Sequence, residues 1–343
     1  MTHDATAAPS TPAPNSSGTG GSPAAASGTW LLGGELPVHR VGFGTMRLPQ
    51  TGPALRPDAV PRDRDQALAV LRRAVELGVN HIDTAAFYFS PLRSANELVN
   101  ATLNPYRDDI VVATKVGPAR DASGEWDDAA RPEQLRGQVE ENLRQLGRDS
   151  LDLVYLRVMP SFGESIVDHF GALAELRDAG LIRHLGLSTG RVDLLEQALA
   201  IAPVASVQSR FGLGAGSPGT EELLRVCGEK GIAFVPFFAI AGDGGERGAV
   251  QDTEAGGASG GLRRTTREIA QAHGASEAQI RLAWSLHQGG HVLGIPGTGS
   301  VAHVEQNVAA GSIRLSADEL RVLTGFHRGE KNEEKETEKA EEE

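Results

Sequence analysis

Between residues 37 and 309 the chain repeats one unit: a short run rich in Val, Ile and Leu, a turn, then a stretch whose apolar residues recur every three or four positions. Eight apolar runs can be read, at 37–46, 79–85, 110–116, 151–156, 182–188, 204–209, 232–238 and 291–297. The runs show little alternation of apolar and polar residues, which is what parallel strands buried on both faces require. Alternation of such strands with helices implies right-handed crossovers, and eight units close a (β/α)8 TIM barrel of the α/β class. The helical stretches fall near 64–77, 94–103, 132–146, 168–179, 192–200, 219–230, 263–273, 277–287 and 301–309. In the first of these Asp63 is placed to cap the N-terminus, Leu68, Leu71 and Val75 share a face, and Gly78 marks the stop.

The barrel accounts for residues 29–328. Residues 1–28 are nearly all Ala, Pro, Ser, Thr and Gly, with Asp4 the only formal charge, and read as a disordered leader. Residues 329–343 carry eight Glu against three Lys and read as a solvated acidic tail. These ends hold half of the formal net charge of -12, so the acidity says little about the barrel. The charge still repels phosphate backbones and anionic lipid, so no nucleic-acid or membrane partner is expected. Cys227 is the only cysteine, which excludes an intrachain disulfide and a cysteine metal site. No metal is expected. With no basic and apolar N-terminal signal, the reading is a cytoplasmic protein.

A doubly wound dinucleotide fold is the main competitor, because Gly214, Gly216 and Gly219 match G-x-G-x-x-G. Pro218 interrupts the match and the next strand ends in Phe237 and Phe238 rather than an acid, so a glycine-rich loop between strand and helix is the better reading.

In a barrel, chemistry gathers at the C-terminal ends of the strands. Those positions hold Thr45 and Met46, Asp83, Lys115, Arg157, Ser188, Gln208, Phe237 and Pro296, with Tyr88 five residues past Asp83. A tyrosine hydroxyl titrates near 10 in water and is a poor acid at neutral pH. A neighbouring ammonium favours the phenolate, and a carboxylate keeps that ammonium charged and in place. Such a trio makes Tyr88 a proton donor to an oxygen that becomes alkoxide as hydride arrives. Each residue also has an ordinary reading: Asp83 as a turn former, Lys115 as a solvated charge, Tyr88 as packing between Phe87 and Phe89. Their convergence from neighbouring strands favours the chemical one.

The stretch GVNHIDTAAFY (78–88), with ATK (113–115), LDLVYL (151–156), HLGLS (184–188) and IPGTGSVAHVEQN (295–307), resembles the aldo-keto reductase family over residues 33 to 323. PRDR (61–64), LRVM (156–159) and GIAFVPFF (231–238) resemble its branch of bacterial NADPH-dependent pyridoxal reductases. The resemblance implies Asp83, Tyr88, Lys115 and Arg157 as the catalytic set, with Tyr88 as general acid in reduction. It implies NADP as cofactor, with NAD not excluded, and a small-molecule carbonyl as substrate. Ser188, Thr189 and Gln208 then face the nicotinamide carboxamide, Phe237 stacks on the nicotinamide, and Gly44, Thr45 and Asp83 lie near it. Thr298, Ser300, His303, Gln306 and Asn307 fall where the family holds the adenosine 2'-phosphate and adenine.

Three departures stand out. Arg157 replaces the usual His and offers only donors, which suits a fixed cation rather than a proton relay. Thr189 replaces the usual Asn. Gly297 and His303 stand where many relatives carry Lys and Arg, which weakens the case for NADPH over NADH, although Thr298, Ser300 and a helix N-terminus can still bind phosphate. The glycine-rich stretch 241–262 is either a lid or a plain linker. Two alternatives to an ordinary carbonyl reductase remain open: a biosynthetic keto-sugar or polyketide ketoreductase, and a non-catalytic NADP-binding regulatory barrel.

Overall fold

The computed structural model describes residues 21–52, 55–127, 129–240 and 258–328. Seven parallel strands lie side by side in chain order: β1 (Phe43–Gly44), β2 (His81–Asp83), β3 (Val111–Val116), β4 (Leu151–Arg157), β5 (Ile182–Ser188), β6 (Val204–Arg210) and β7 (Ala233–Phe237). The segment 291–295 closes the ring by bonding on both sides. Gly42 N donates to Gly294 O and Gly294 N to Arg40 O, both at 2.8 Å, while Phe234 N donates to His291 O and Leu293 N to Phe234 O, both at 2.9 Å. The result is the (β/α)8 barrel.

Helices α1 (Arg64–Glu76), α2 (Ala95–Leu103), α3 (Leu135–Leu146), α4 (Val167–Asp178), α5 (Val192–Leu199) and α6 (Pro218–Glu229) alternate with the strands, and α7 (Ala258–Ala272), α8 (Glu277–His287), α9 (Val301–Ala309) and α10 (Ala317–Arg328) complete the outer layer. Asp63 caps α1 as expected, its carboxylate accepting from Gln66 N at 2.9 Å, and α1 buries Leu68, Val70 and Leu71. All six residues of β3 are buried, because its two faces meet different cores. Val112 and Val116 pack outward against the helices, whereas Val111 and Ala113 point inward with Leu153, Tyr155, Ala233 and Val235.

Three sequence expectations are corrected. Residues Pro23–Ser27 form a 3-10 helix with Ala24 buried, although composition assigns them to the leader; Ala24 N donates to Leu77 O at 2.9 Å, which fastens this turn beneath α1. The first apolar run is two pieces, not one strand. Its beginning, Leu36–His39, pairs antiparallel with Thr29–Leu32, and Leu32, Leu36 and Val38 plug the barrel floor. Third, α7 begins at Ala258, inside the stretch expected to be a loop through 262. Gly261 is suited to that helix because a Cβ there would lie 2.9 Å from the Phe326 ring of α10, a helix that the sequence reading did not assign. Residues 241–257, with the lid or linker expectation, lie outside the described residues, as do 1–20 and 329–343.

Gly214 adopts φ +78° in a tight turn in which Gly212 and Ala215 pair, and a Cβ on Gly216 would meet His327 at 2.8 Å. These glycines serve a turn and the approach of α10 rather than a phosphate loop. Among the described residues no helix is long and apolar enough to cross a membrane, and no three His, Cys, Asp or Glu side chains are grouped to hold a metal.

Candidate active site

Strand parity decides what faces the upper end of the barrel. Inward residues on a strand recur every second position, so Lys115 follows Val111 and Ala113 on the inner face of β3, and Arg157 follows Leu153 and Tyr155 on β4. Asp83, Gln208 and Phe237 end the same series on β2, β6 and β7. Apolar layers below thus seat a polar layer at the rim.

Within that layer Lys115 Nζ donates to Asp83 Oδ1 at 2.5 Å and to Thr84 O at 3.0 Å. The other carboxylate oxygen accepts from Gln208 Nε2 at 2.5 Å. The ammonium also lies over the Tyr88 side chain, 4.8 Å from that ring's centre. Burial disfavours the charged form of Lys115, yet Asp83 and Tyr88 outweigh it and hold the pKa above the ordinary lysine value. The site therefore contains a charged ammonium. Of the chain's three tyrosines, Tyr106 spends its hydroxyl on Leu146 O and Tyr155 on Ser206 Oγ, which leaves Tyr88 as the one at the rim.

A cavity of about 560 Å³ opens above this layer. Gly44, Asp83, Tyr88, Lys115, Arg157, Gln208, Phe237, Thr298, His303, Gln306 and Asn307 all line it, so eleven of the sequence-derived positions meet in one space. Arg157 faces the cavity and pairs with no carboxylate among the described residues, as a fixed cation in place of the usual His requires. Thr45, Ser188, Thr189 and Ser300 are not in the wall. Thr45 Oγ1 is fully buried against Thr84 Oγ1 at 2.9 Å, and Ser188 is buried in register with both Arg157 and Gln208. Thr189 Oγ1 accepts from Arg191 N at 3.3 Å, and Ser300 stands at the N-cap position of α9 without a side-chain capping bond.

Gly44 and Gly297 have a packing reason to be glycine. A Cβ on Gly44 would lie 2.7 Å from Ile295 O, and one on Gly297 would lie 2.5 Å from Gly44 O, so β1 and the closing segment approach at backbone distance.

Met46, named among the strand ends, lines the cavity too, and several contributors escaped the sequence reading. Arg47, Arg62 and Phe238 also line the cavity. Phe238 holds φ +63°, an unfavourable conformation for a side chain of its size, and its ring meets Phe237 edge-on at 5.3 Å. Behind the rim, Thr84 Oγ1 donates to Asn96 Oδ1 at 2.7 Å, Asn96 Nδ2 to Asn142 Oδ1 at 2.9 Å, and Thr114 Oγ1 to the same Asn142 oxygen at 2.6 Å. This chain fixes the residues next to Asp83 and Lys115 against α2 and α3. Arg120 clamps the tyrosine loop: its Nη1 donates to Phe87 O at 3.3 Å and Phe89 O at 2.8 Å, and its guanidinium lies 4.4 Å from the centre of the Phe89 ring. Buried Asn residues and a lone Arg in a loop carry no periodic signal, although PRDR placed Arg62 among the quoted motifs.

A parallel barrel with this polar rim defines an α/β barrel enzyme site, and comparison with known proteins gives its family. The Aldo/keto reductase family profile matches residues 40–327, and the chain belongs to that family. It is therefore an oxidoreductase that acts on carbonyls. It is 36% identical over 307 residues to pyridoxine 4-dehydrogenase of Escherichia coli K12, covering 88% of this chain and 99% of that protein. It is 37% identical over 287 residues to an uncharacterized oxidoreductase of Schizosaccharomyces pombe, covering 83% and 85% respectively. Among solved structures, an aldo-keto reductase from Klebsiella pneumoniae in complex with NADPH superposes with a TM-score of 0.68 at 27% identity, covering 87% of this chain and 94% of that one.

Proposed function

We propose that the protein reduces an aldehyde or ketone, of the pyridoxal-like or another aromatic or aliphatic type, to an alcohol with NADPH. The observation that carries this reading is the meeting of Tyr88, Lys115 and Asp83 in one cavity with Arg157 beside them. The dinucleotide fits the residues present. Asn307 is buried, lines the cavity, and its Nδ2 has no hydrogen-bond partner, an arrangement suited to an acceptor on a bound ligand. The complex of the Klebsiella protein with NADPH and the activity named for the E. coli relative support the same choice.

When bound, the nicotinamide supplies a hydride to the carbonyl carbon. Tyr88 gives its hydroxyl proton to the carbonyl oxygen, so the C=O double bond becomes a C–H and an O–H bond. Lys115, kept charged by Asp83, stabilises the negative charge left on the Tyr88 oxygen. Gln208 holds the second oxygen of Asp83 and so fixes the carboxylate that orients Lys115. Arg157 presents a permanent positive charge to the substrate oxygen or to an anionic substituent near it. Phe237 and Thr298, Gln306 and Asn307 bind the nicotinamide and adenosine ends, with Ser188 and Thr189 on the carboxamide side.

The test is loss of NADPH absorbance with a panel of aldehydes that includes pyridoxal. Turnover on at least one carbonyl is expected. Nucleotide binding without turnover on any of them contradicts the reading and favours a regulatory barrel.

A further inference from the structure

The loop that enters α9 has glycine at 297 and 299 and so presents no long cation of its own. The structure supplies one from elsewhere. Arg62, in the turn before α1, reaches across to this loop, and a Cβ on Gly299 would collide with its guanidinium. The guanidinium donates through Nε to Arg47 O at 3.2 Å, through Nη2 to Gln50 O at 3.0 Å and through Nη1 to Gly299 O at 3.4 Å. Gln66 Nε2 secures the same Gly299 carbonyl at 3.0 Å. These partners are neutral, and a guanidinium has five N–H donors, so hydrogen-bonding capacity and the whole charge remain available. Among the described residues no carboxylate faces Arg62. Burial and the neighbouring Arg47 charge both lower its pKa, the environment of a cation that lacks an anion.

Arg62 lines the same cavity as Thr298, His303 and Asn307. Thr298 is mostly buried, its Oγ1 accepting from Ser300 N at 3.1 Å at the start of the nine-residue α9. Asn307 Nδ2, buried and without a partner, points to a ligand at this end of the cavity.

We propose that Arg62 is the cation that binds the 2'-phosphate of NADPH and sets the preference for NADPH over NADH; this rests on the cofactor reading above. The phosphate sits between the guanidinium, the Thr298 hydroxyl and the N-terminal end of α9, all of which favour negative charge. Gly299 is required because any side chain there displaces Arg62. NADH leaves the guanidinium desolvated and unpaired, which penalises it relative to NADPH.

Equilibrium titration of the full chain with NADPH and NADH, followed by tryptophan fluorescence, tests the assignment. Wild type binds NADPH more tightly than NADH. Arg62→Gln retains amide donors for the carbonyls but loses the charge, and raises the NADPH Kd on the order of 10–100-fold while the NADH Kd changes less than about threefold. Arg62→Lys recovers part of the preference, and Gly299→Ala reproduces its loss. Equal weakening toward both nucleotides in Arg62→Gln and Gly299→Ala, or an unchanged preference in both, overturns the proposal. So does a preference that disappears in His303→Ala but survives in Arg62→Gln. Wild-type protein that binds neither nucleotide overturns the cofactor reading itself, and the Arg62 assignment with it.

Discussion

Lys115 Nζ and Asp83 Oδ1 are 2.5 Å apart, and each side chain is only 3% exposed. A buried pair of this kind makes each partner dependent on the other, since removing one strands an uncompensated charge at a cost of about 3–5 kcal/mol. Asp83→Asn and Lys115→Met are each expected to lose stability on that scale in denaturant titrations and to lose turnover. The double variant is expected to be more stable than either single one while remaining inactive. Additive losses would show that the two charges do not depend on each other.

Arg120 holds the loop that carries Tyr88 by bonding the carbonyls on both sides of it, Phe87 O and Phe89 O. Small displacements of a reacting group carry large rate penalties. Arg120→Ala is expected to lower kcat by about ten- to a hundredfold while leaving NADPH affinity within about twofold, and Arg120→Lys to rescue little, because an ammonium lacks the planar fork. An unchanged kcat in steady-state assays would remove Arg120 from the account.

His81 sits two residues below Asp83, fully buried, with neither ring nitrogen hydrogen-bonded. Burial pushes its pKa down from 6.5 to about 4, with Asp83 opposing and Lys115 reinforcing the shift. Above pH 6.5 the imidazole is neutral in both folded and unfolded chains. Between 6.5 and 4 the unfolded chain binds a proton that the folded one refuses, so stability falls with pH by about 2 kcal/mol at pH 5. Below 4 this contribution no longer changes. His81→Leu should flatten the dependence of Tm on pH between 6.5 and 4.5; parallel curves for the two proteins would assign the acid sensitivity elsewhere.

Cys227 is buried in the helix-facing core, and burial pushes its thiol up to about 12. A disulfide reagent at pH 8 is expected to leave the native protein unmodified and to react with one thiol per chain in denaturant. Rapid labelling of the native protein would contradict this placement.

The barrel was legible because its information is local and periodic: apolar runs such as 110–116 and 151–156, each followed by a helical stretch, leave little choice of architecture. The rim was legible for the same reason, since strand parity carries Asp83, Lys115, Arg157, Gln208 and Phe237 to one end. What escaped depends on contacts between distant segments. Glycines in 258–262 read as loop, yet Gly260 and Gly261 lie in α7, where the Phe326 ring leaves no room for a side chain at 261. Residues 37–46 read as one strand, but the open floor of the barrel draws Leu36 and Val38 into a separate hairpin. Arg62 and Gly299 are 237 positions apart, and no short-range pattern couples them.

The central claim is that Tyr88 is the proton donor, held by Lys115 and Asp83. The most direct measurement is single-turnover reduction of a carbonyl substrate by enzyme-bound NADPH in wild type and Tyr88→Phe, with the NADPH Kd measured in parallel. The phenyl ring retains the packing and removes only the hydroxyl, so the rate is expected to fall by about 10²–10⁴-fold while the Kd stays within about twofold. A Tyr88→Phe protein that reduces the carbonyl at the wild-type rate would contradict the account.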